Sequence, residues 1–283
     1  MKILLTGRDG QVGWDLQRTL APLGGVIATG RATLDLADPD AIRRALRAAK
    51  PDVIVNAAAY TAVDRAEAEP ELAAAVNARA PGVFAEEAKR SGALLVHYST
   101  DYVFDGTKEG AYREDDATNP LSVYGRTKRD GELAIAASGC RYLLLRTSWV
   151  YAPRGKNFFL TILRRARAGE ALRVVNDQTG APTTSAFLAD MTAHALRVPG
   201  AEGTYHLVPG GRTTWYGFAR AAVEGLGLDV PMTPIATRDY PVAARRPANS
   251  VLDNSAFRKR FSAELPDWQA GLAACLKAYR EAA

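Results

Sequence analysis

Two cysteines and three histidines among 283 residues leave little material for a metal centre or a disulfide framework. Cys140 and Cys275 lie far apart among apolar neighbours, so buried free thiols are expected. His97, His194 and His206 have no ligand spacing, which argues against a zinc site. No apolar run approaches the ~20 residues needed to cross a bilayer. The chain opens Met-Lys, then an apolar stretch and glycines, without the layout of a signal peptide. No membrane partner and a cytoplasmic location are the expectation. A strong charge of one sign is also missing: 36 Lys and Arg against 31 Asp and Glu leave a formal +5. The nearest approach to a basic cluster, Arg258-Lys259-Arg260, reads as a solvated helix face, which argues against nucleic acid. The mild positive balance suits a protein that binds phosphorylated small molecules.

The chain has ordinary globular composition, 47% hydrophobic and 24% charged, and is long enough for one large domain or two medium ones. Residues 2–6, 26–29, 53–56, 94–98 and 142–146 are short apolar runs without alternation, the pattern of strands buried on both faces of a parallel sheet. Helical patterns lie between them at 13–23, 40–49, 71–90 and 122–137, with Pro81 expected to kink or break the third. This alternation predicts an α/β fold with a Rossmann-like, doubly wound parallel sheet over residues 1–150. Residues 151–283 hold most of the prolines and several irregular stretches, with a strand-like piece at 172–176 and helical ones at 185–196 and 215–226. They read as a mainly substrate-binding, smaller C-terminal α/β domain with some segments returning to the first.

Gly7, Gly10 and Gly13 are spaced Gly-x-x-Gly-x-x-Gly between the first strand and the first helix. Glycine there lets the backbone turn tightly and approach a pyrophosphate, which then sits at the helix N-terminus. A loop that merely turns is the bland alternative, and the strand-helix context argues against it. After the second strand a carboxylate would bond a ribose 2′-hydroxyl, whereas arginine favours a 2′-phosphate. The chain offers Arg31, with no carboxylate until Asp35, so NADPH is expected, with NADH as the alternative; Asp35 and Leu36 would flank the adenine.

Tyr124 and Lys128 are four residues apart on a predicted helix, hence on one face and one turn apart. A phenol titrates near 10, and a nearby cation should lower that toward the working range of an acid-base group. Tyr-x-x-x-Lys is common by chance, and a surface pair is the ordinary reading. The glycine turn upstream reverses those odds, as do the hydroxyls of Ser99 and Thr100 at the carboxyl end of a predicted strand, where open α/β sheets face their ligands.

These motifs resemble the extended short-chain dehydrogenase/reductase superfamily and, within it, the family that reduces dTDP-4-dehydrorhamnose. The matching stretches run nearly end to end: 7–23, 51–64, 97–105, 124–128, 146–151, 176–183, 205–215 and 246–250. The resemblance implies transfer of hydride from NADPH to C4 of dTDP-4-dehydro-β-L-rhamnose, a nucleotide-sugar substrate. It implies cofactor contacts at Gly10, Gln11 and Val12, at Ala59, Tyr60 and Thr61, and at Tyr124 and Lys128. Tyr124 would donate the proton, Lys128 would hold the nicotinamide ribose and bias the tyrosine, and Thr100 would bond the same substrate oxygen. Thr100, Asp101 and Trp149 would meet the sugar. For the diphosphate, Arg246 is the leading candidate, with Asn157 and Gln178 behind it. Each has a structural alternative: Arg246 an ion pair, Trp149 a core position, Asp101 a turn bond. The chain departs from the family pattern at Gly30, where relatives often carry Asp, and at Tyr60, where His is common. Some members dimerise through a magnesium site near the C-terminus; a homodimer is admissible here, but no magnesium ligand can be assigned. An epimerase or dehydratase of the same fold is the enzymatic rival, and a catalytically silent regulatory subunit is the rival of another class.

Overall fold

The five apolar runs of the first half are parallel strands in the computed structural model, which describes residues 1–281. They are β1 (Lys2–Thr6), β2 (Gly25–Thr29), β3 (Val53–Asn56), β4 (Leu94–Thr100) and β5 (Arg141–Thr147). A sixth, β6 (Gly203–His206), comes from the second half of the chain and pairs in parallel with β5, giving the order β6-β5-β4-β3-β1-β2. Successive residues of the inner strands point to opposite faces, and both faces are covered. Ile3, Leu5, Val53, Val55, Val96 and Leu145 pack on one side, whereas Leu4, Ile54, Leu95 and Leu144 pack on the other. That double burial is why these runs lack polar alternation. Each such side chain removed from water contributes about 1.5–3 kcal/mol.

The first face is covered by α1 (Gln11–Leu20) through Leu16 and Leu20. On the second face lie α2 (Pro39–Ala49), α3 (Ala80–Ser91) and α4 (Val123–Ser138), through Ile42, Phe84 and Ile135. Asp38 caps α2, accepting from the amides of Asp40 and Ala41, and Pro39 sits at its first turn. The pattern at 71–90 is not one regular helix. Pro70–Ala74 runs through a π turn, Ala75–Arg79, into α3. Pro81 has no N–H to give the Asn77 carbonyl, and Gly131 of α4 packs onto that oxygen so closely that a Cβ would stand 2.2 Å away.

The second half adds α5 (Phe158–Arg167), α6 (Ser185–Ala195), α7 (Trp215–Gly225), α8 (Ser255–Phe261) and α9 (Trp268–Glu281). The periodicity reading omits α5 and α9, whereas Arg258-Lys259-Arg260 lie on a helix, α8, as read from their charge. Helix α6 returns to the first face of the sheet and packs against α1 with Leu188, Ala189 and Ala193. Phe159, Leu163, Phe218, Trp268 and Leu272 form a separate core among α5, α7 and α9. Leu172–Val175 and Met232–Ile235 pair in parallel beside it. Among the described residues, no helix is long and apolar enough to cross a membrane.

The chain passes from β1 outward to β2, then crosses back to β3 on the other side of β1. The loops leaving β1 and β3 diverge there, at the carboxyl ends of the strands, and ligands of open α/β sheets bind in such crevices.

Candidate active site

A cavity of about 1180 Å³ opens at that switch point and extends between the sheet and the second half of the chain. The glycine turn forms one end. Gly7 has φ +75° and touches the loop after β3, so that a Cβ on it would lie 2.9 Å from the Ala58 nitrogen. Gly10 is the N-cap of α1 and offers no side-chain cap, so the first amides of the helix, at Gln11 and Val12, have no side-chain acceptor. An open helix N-terminus lined by glycine fits a pyrophosphate. Gly13 does not line the cavity. A Cβ there would stand 2.0 Å from the Gly7 carbonyl, which makes it the glycine that lets helix and turn touch.

Arg31, Asp35 and Leu36 border the same end, with Arg31 exposed and in no ion pair among the described residues. The structure adds a carboxylate that the reading by position had missed. Asp9, from the glycine turn, reaches to where a Gly30 Cβ would be, and Arg8 lies 3.5 Å from it. Ala59, Tyr60 and Thr61 follow β3 along the floor. The Tyr60 hydroxyl is already bonded to Glu69 at 2.7 Å, and its amide donates to Asn77, which braces the loop from the π turn.

Tyr124 and Lys128 both face this cavity from α4. Ser122 caps the helix by accepting from the Gly125 amide, and Gly125 is required because a Cβ would lie 2.2 Å from the Tyr102 carbonyl. The Tyr124 ring meets Tyr102 edge-on at 5.6 Å. Here the structure departs from expectation. Burial holds the Tyr124 phenol up, to about 12, the Thr100 hydroxyl opposing this and the Asp101 charge adding to it. Lys128 does not lower it, because Nζ is turned toward the Tyr98 carbonyl, 2.6 Å away, and toward His97. The phenol is therefore a protonated group at neutral pH. Burial lowers Lys128 to about 8, with Glu132 opposing.

Thr100 ends β4, and Asp101 opens the 3-10 turn that follows it. Thr100 Oγ1 donates to Asp101 Oδ1 and accepts from the Tyr102 amide. The second carboxylate oxygen of Asp101 is buried without a partner, as are the hydroxyls of Ser99 and Thr147, and all three residues line the cavity. Burial raises the Asp101 carboxyl to about 7, with the Thr100 bond and the nearby Ser250 hydroxyl opposing it. Unpaired buried polar atoms at a cavity wall await a ligand that supplies partners.

The opposite wall comes from the second half. Trp149 has φ +49°, an uncommon conformation for a bulky residue, and stacks on Trp215 with ring centres 3.7 Å apart. Gly180 lies under its other face, where a Cβ would be 2.6 Å from the indole. Trp149 is thus a clamped ring lining the cavity. Arg246 lines it too, but grips Asp64 with two bonds of 3.1 and 2.7 Å, so its ion-pair alternative is realised. The two weaker diphosphate candidates also carry bonds of their own. Asn157 caps α5 through Leu160 and donates to Gln11 and the Ala152 and Arg154 carbonyls. Gln178 accepts from Trp215 and donates to Thr237. Both line the cavity, each held in place by these bonds. Reading the sequence also missed Lys156, Arg165, Arg173, Arg238 and Arg245, which join Arg246 on this wall with no Asp or Glu from beyond residue 150. Their dispersal over 90 residues hides a cluster that only folding assembles.

No three His, Cys, Asp or Glu among the described residues are grouped to hold a metal ion.

The family model described as RmlD substrate binding domain matches residues 1–281. The chain is similar to a dTDP-4-dehydrorhamnose reductase of Burkholderia thailandensis, 52% identical with 98% of each covered. It resembles the solved structure of a dTDP-4-dehydrorhamnose reductase from Clostridium acetobutylicum with TM-score 0.95 at 36% identity, covering 99% of this chain and 100% of that one. A dTDP-4-dehydrorhamnose reductase from Bacillus anthracis, solved in complex with NADP, gives TM-score 0.94 at 32% identity over 98% of this chain and 99% of that one.

Proposed function

The chain belongs to the dTDP-4-dehydrorhamnose reductase family, and on that premise we propose that it reduces the C4 ketone of dTDP-4-dehydro-β-L-rhamnose to the alcohol, with NADPH as reductant and Tyr124 as proton donor. One observation carries this reading: a protonated, buried phenol shares a cavity with a phosphate-ready glycine turn and an arginine-rich wall to which residues beyond 150 add no Asp or Glu.

Bound with its pyrophosphate at Gly10, Gln11 and Val12, and its nicotinamide ribose at Tyr124 and Lys128, NADPH would supply the hydride. The chain's own residues do the rest. Thr100 and Tyr124 bond the ketone oxygen and orient it. As negative charge grows on that oxygen, the Tyr124 hydroxyl gives up its proton. A phenol held near 12 keeps that proton until the oxygen needs it. Lys128, its ammonium turned to the Tyr98 carbonyl and His97, serves the cofactor ribose and not the phenol. Asp101, Ser99 and Thr147 gain partners in the sugar hydroxyls, and the clamped Trp149 borders the ring. The cations opposite take the diphosphate, for which the planar fork of arginine is suited. Residues 1–150 would thus serve the cofactor and 151–283 mainly the substrate. Arg8 and Arg31 favour a 2′-phosphate, whereas Asp9 offers a hydroxyl acceptor, so NADH is expected to serve less well.

The test is to mix the protein with NADPH and dTDP-4-dehydrorhamnose. Reduced nicotinamide should disappear in proportion to keto sugar added. Cofactor that binds but is never oxidised by any 4-keto sugar nucleotide would reject the reading in favour of a silent binding subunit.

A further inference from the structure

Behind Tyr124 and Lys128 lies a layer of buried polar side chains that the proton-donor reading does not use. His97 is 1% exposed, does not line the cavity, and places Nε2 3.2 Å from Lys128 Nζ. Its Nδ1 is 3.1 Å from the Asn56 amide, which lies 2.7 Å from Thr6 Oγ1. Thr6, Asn56 and His97 are register partners on the adjacent strands β1, β3 and β4. The sheet itself therefore aligns a row of four side chains, from beneath the glycine turn to the lysine.

Hydrogen counting gives this row a direction. An ammonium carries three donors and no acceptor. If the amide nitrogen of Asn56 faces Nδ1, the imidazole proton must sit on Nε2, and two donors meet at 3.2 Å. With the amide turned over, every contact is satisfied: Lys128 donates to Nε2, Nδ1–H donates to the Asn56 oxygen, and the Asn56 nitrogen donates to Thr6. The two amide orientations are distinguished by such networks and not by shape. Burial, and then the Lys128 charge, hold His97 well below its ordinary value, so the ring is neutral and can accept.

We propose that His97 is a positioning residue for Lys128: its bare Nε2 takes one ammonium hydrogen and the Tyr98 carbonyl a second, leaving the third for the cofactor ribose. The proposal rests on the reading of Lys128 as a cofactor contact. Other titratable groups around the pair are few. Glu132, on α4, is bonded to Arg146 of β5, and the Tyr98 hydroxyl is bonded to Thr192. Tyr124 adds a neutral phenol.

Two measurements test it. With three histidines in the chain, nitrogen-15 NMR of the intact protein can follow each ring. His97 should remain neutral through mildly acidic pH with its proton on Nδ1; a proton on Nε2 would overturn the proposal. The second measurement follows NADPH binding by nicotinamide fluorescence across alkaline pH, in the wild type, His97→Leu and His97→Gln. Affinity should fall as Lys128 loses its proton. Removing an acceptor from the ammonium should bring that midpoint down by about one pH unit in the leucine variant. Glutamine, whose amide oxygen can replace Nε2, should restore it. Equal midpoints in all three, with melting curves confirming folded protein, would overturn the proposal. A wild type that binds NADPH but reduces no sugar nucleotide would instead defeat the substrate assignment, and these readouts would still decide the role of His97.

Discussion

The two walls of the cavity hold their leading cations in opposite ways. Lys128 is 2% exposed and is fixed by a carbonyl and an imidazole that strand β4 delivers, with no carboxylate bonded to it. Arg246 is partly exposed and grips Asp64, a residue 182 positions away on the cofactor side. The floor is thus organised before any ligand arrives. The opposite wall parks its cation on a carboxylate, for which, on the proposed function, a substrate phosphate would compete. Preorganised groups act on the transition state, whereas groups that must exchange partners act mainly on binding. The floor should therefore govern turnover and the wall should govern substrate affinity.

The largest effect expected is on the floor. Tyr124→Phe should cut turnover at least about 100-fold, the scale of a lost general acid, while NADPH binding measured by fluorescence is largely kept. Near-normal turnover would remove the assignment of the proton donor and, with it, the contrast between the walls.

On the opposite wall, Arg246→Ala should raise KM for the sugar nucleotide by about 10- to 50-fold, as loss of a charged hydrogen-bond donor would, with kcat changed only a few-fold. Steady-state kinetics separate the two constants. A fall in kcat with unchanged KM would invert the comparison and place Arg246 among the preorganised groups.

How much of each wall could be read from the sequence follows from the same contrast. The floor is built from contiguous pieces: a strand, a glycine turn and one helical turn from Tyr124 to Lys128. Local spacing determined where they went. Residues 2–6 and 53–56 form strands over those spans, because apolar runs covered on both faces leave little freedom. The sixth strand, Gly203–His206, has a single buried residue and so carried no such signal. The wall depends on pairings that spacing cannot express. Arg246 with Asp64, Asp9 beside Gly30, and Asn157 reaching Gln11 are contacts between distant segments. Helix α5 was legible in principle: Asn157 is a good N-cap, and Phe159, Ile162, Leu163 and Ala166 follow helical spacing. The Tyr124 phenol went against expectation because spacing reports a neighbouring charge and is silent on burial, which prevails here.

A smaller effect is expected at the adenosine end. Arg31→Ala should lower the preference for NADPH over NADH by about 10-fold in kcat/KM, the scale of one charged contact to a phosphate. An unchanged ratio would assign the 2′-group to Arg8 and Asp9.

The smallest effect concerns what preorganisation costs in stability. Asp101 is buried with one oxygen unpartnered, and its carboxyl is raised to about 7 from an ordinary 3.8, burial being the main cause. Between about pH 4 and pH 7 the folded protein retains a proton that the unfolded chain has released. Folded stability then declines as pH rises through that window, and the whole penalty is present above it. Asp101→Asn keeps the shape and removes the charge, so it should raise the melting temperature by about 3 °C at pH 8 and leave it unchanged at pH 4. The gain is a single-site effect in a chain of this size, and the same variant should bind the sugar nucleotide less well. Equal shifts at both pH values would mean that the carboxylate is already satisfied in the free protein, and the floor would then hold no polar atom waiting for substrate at that position.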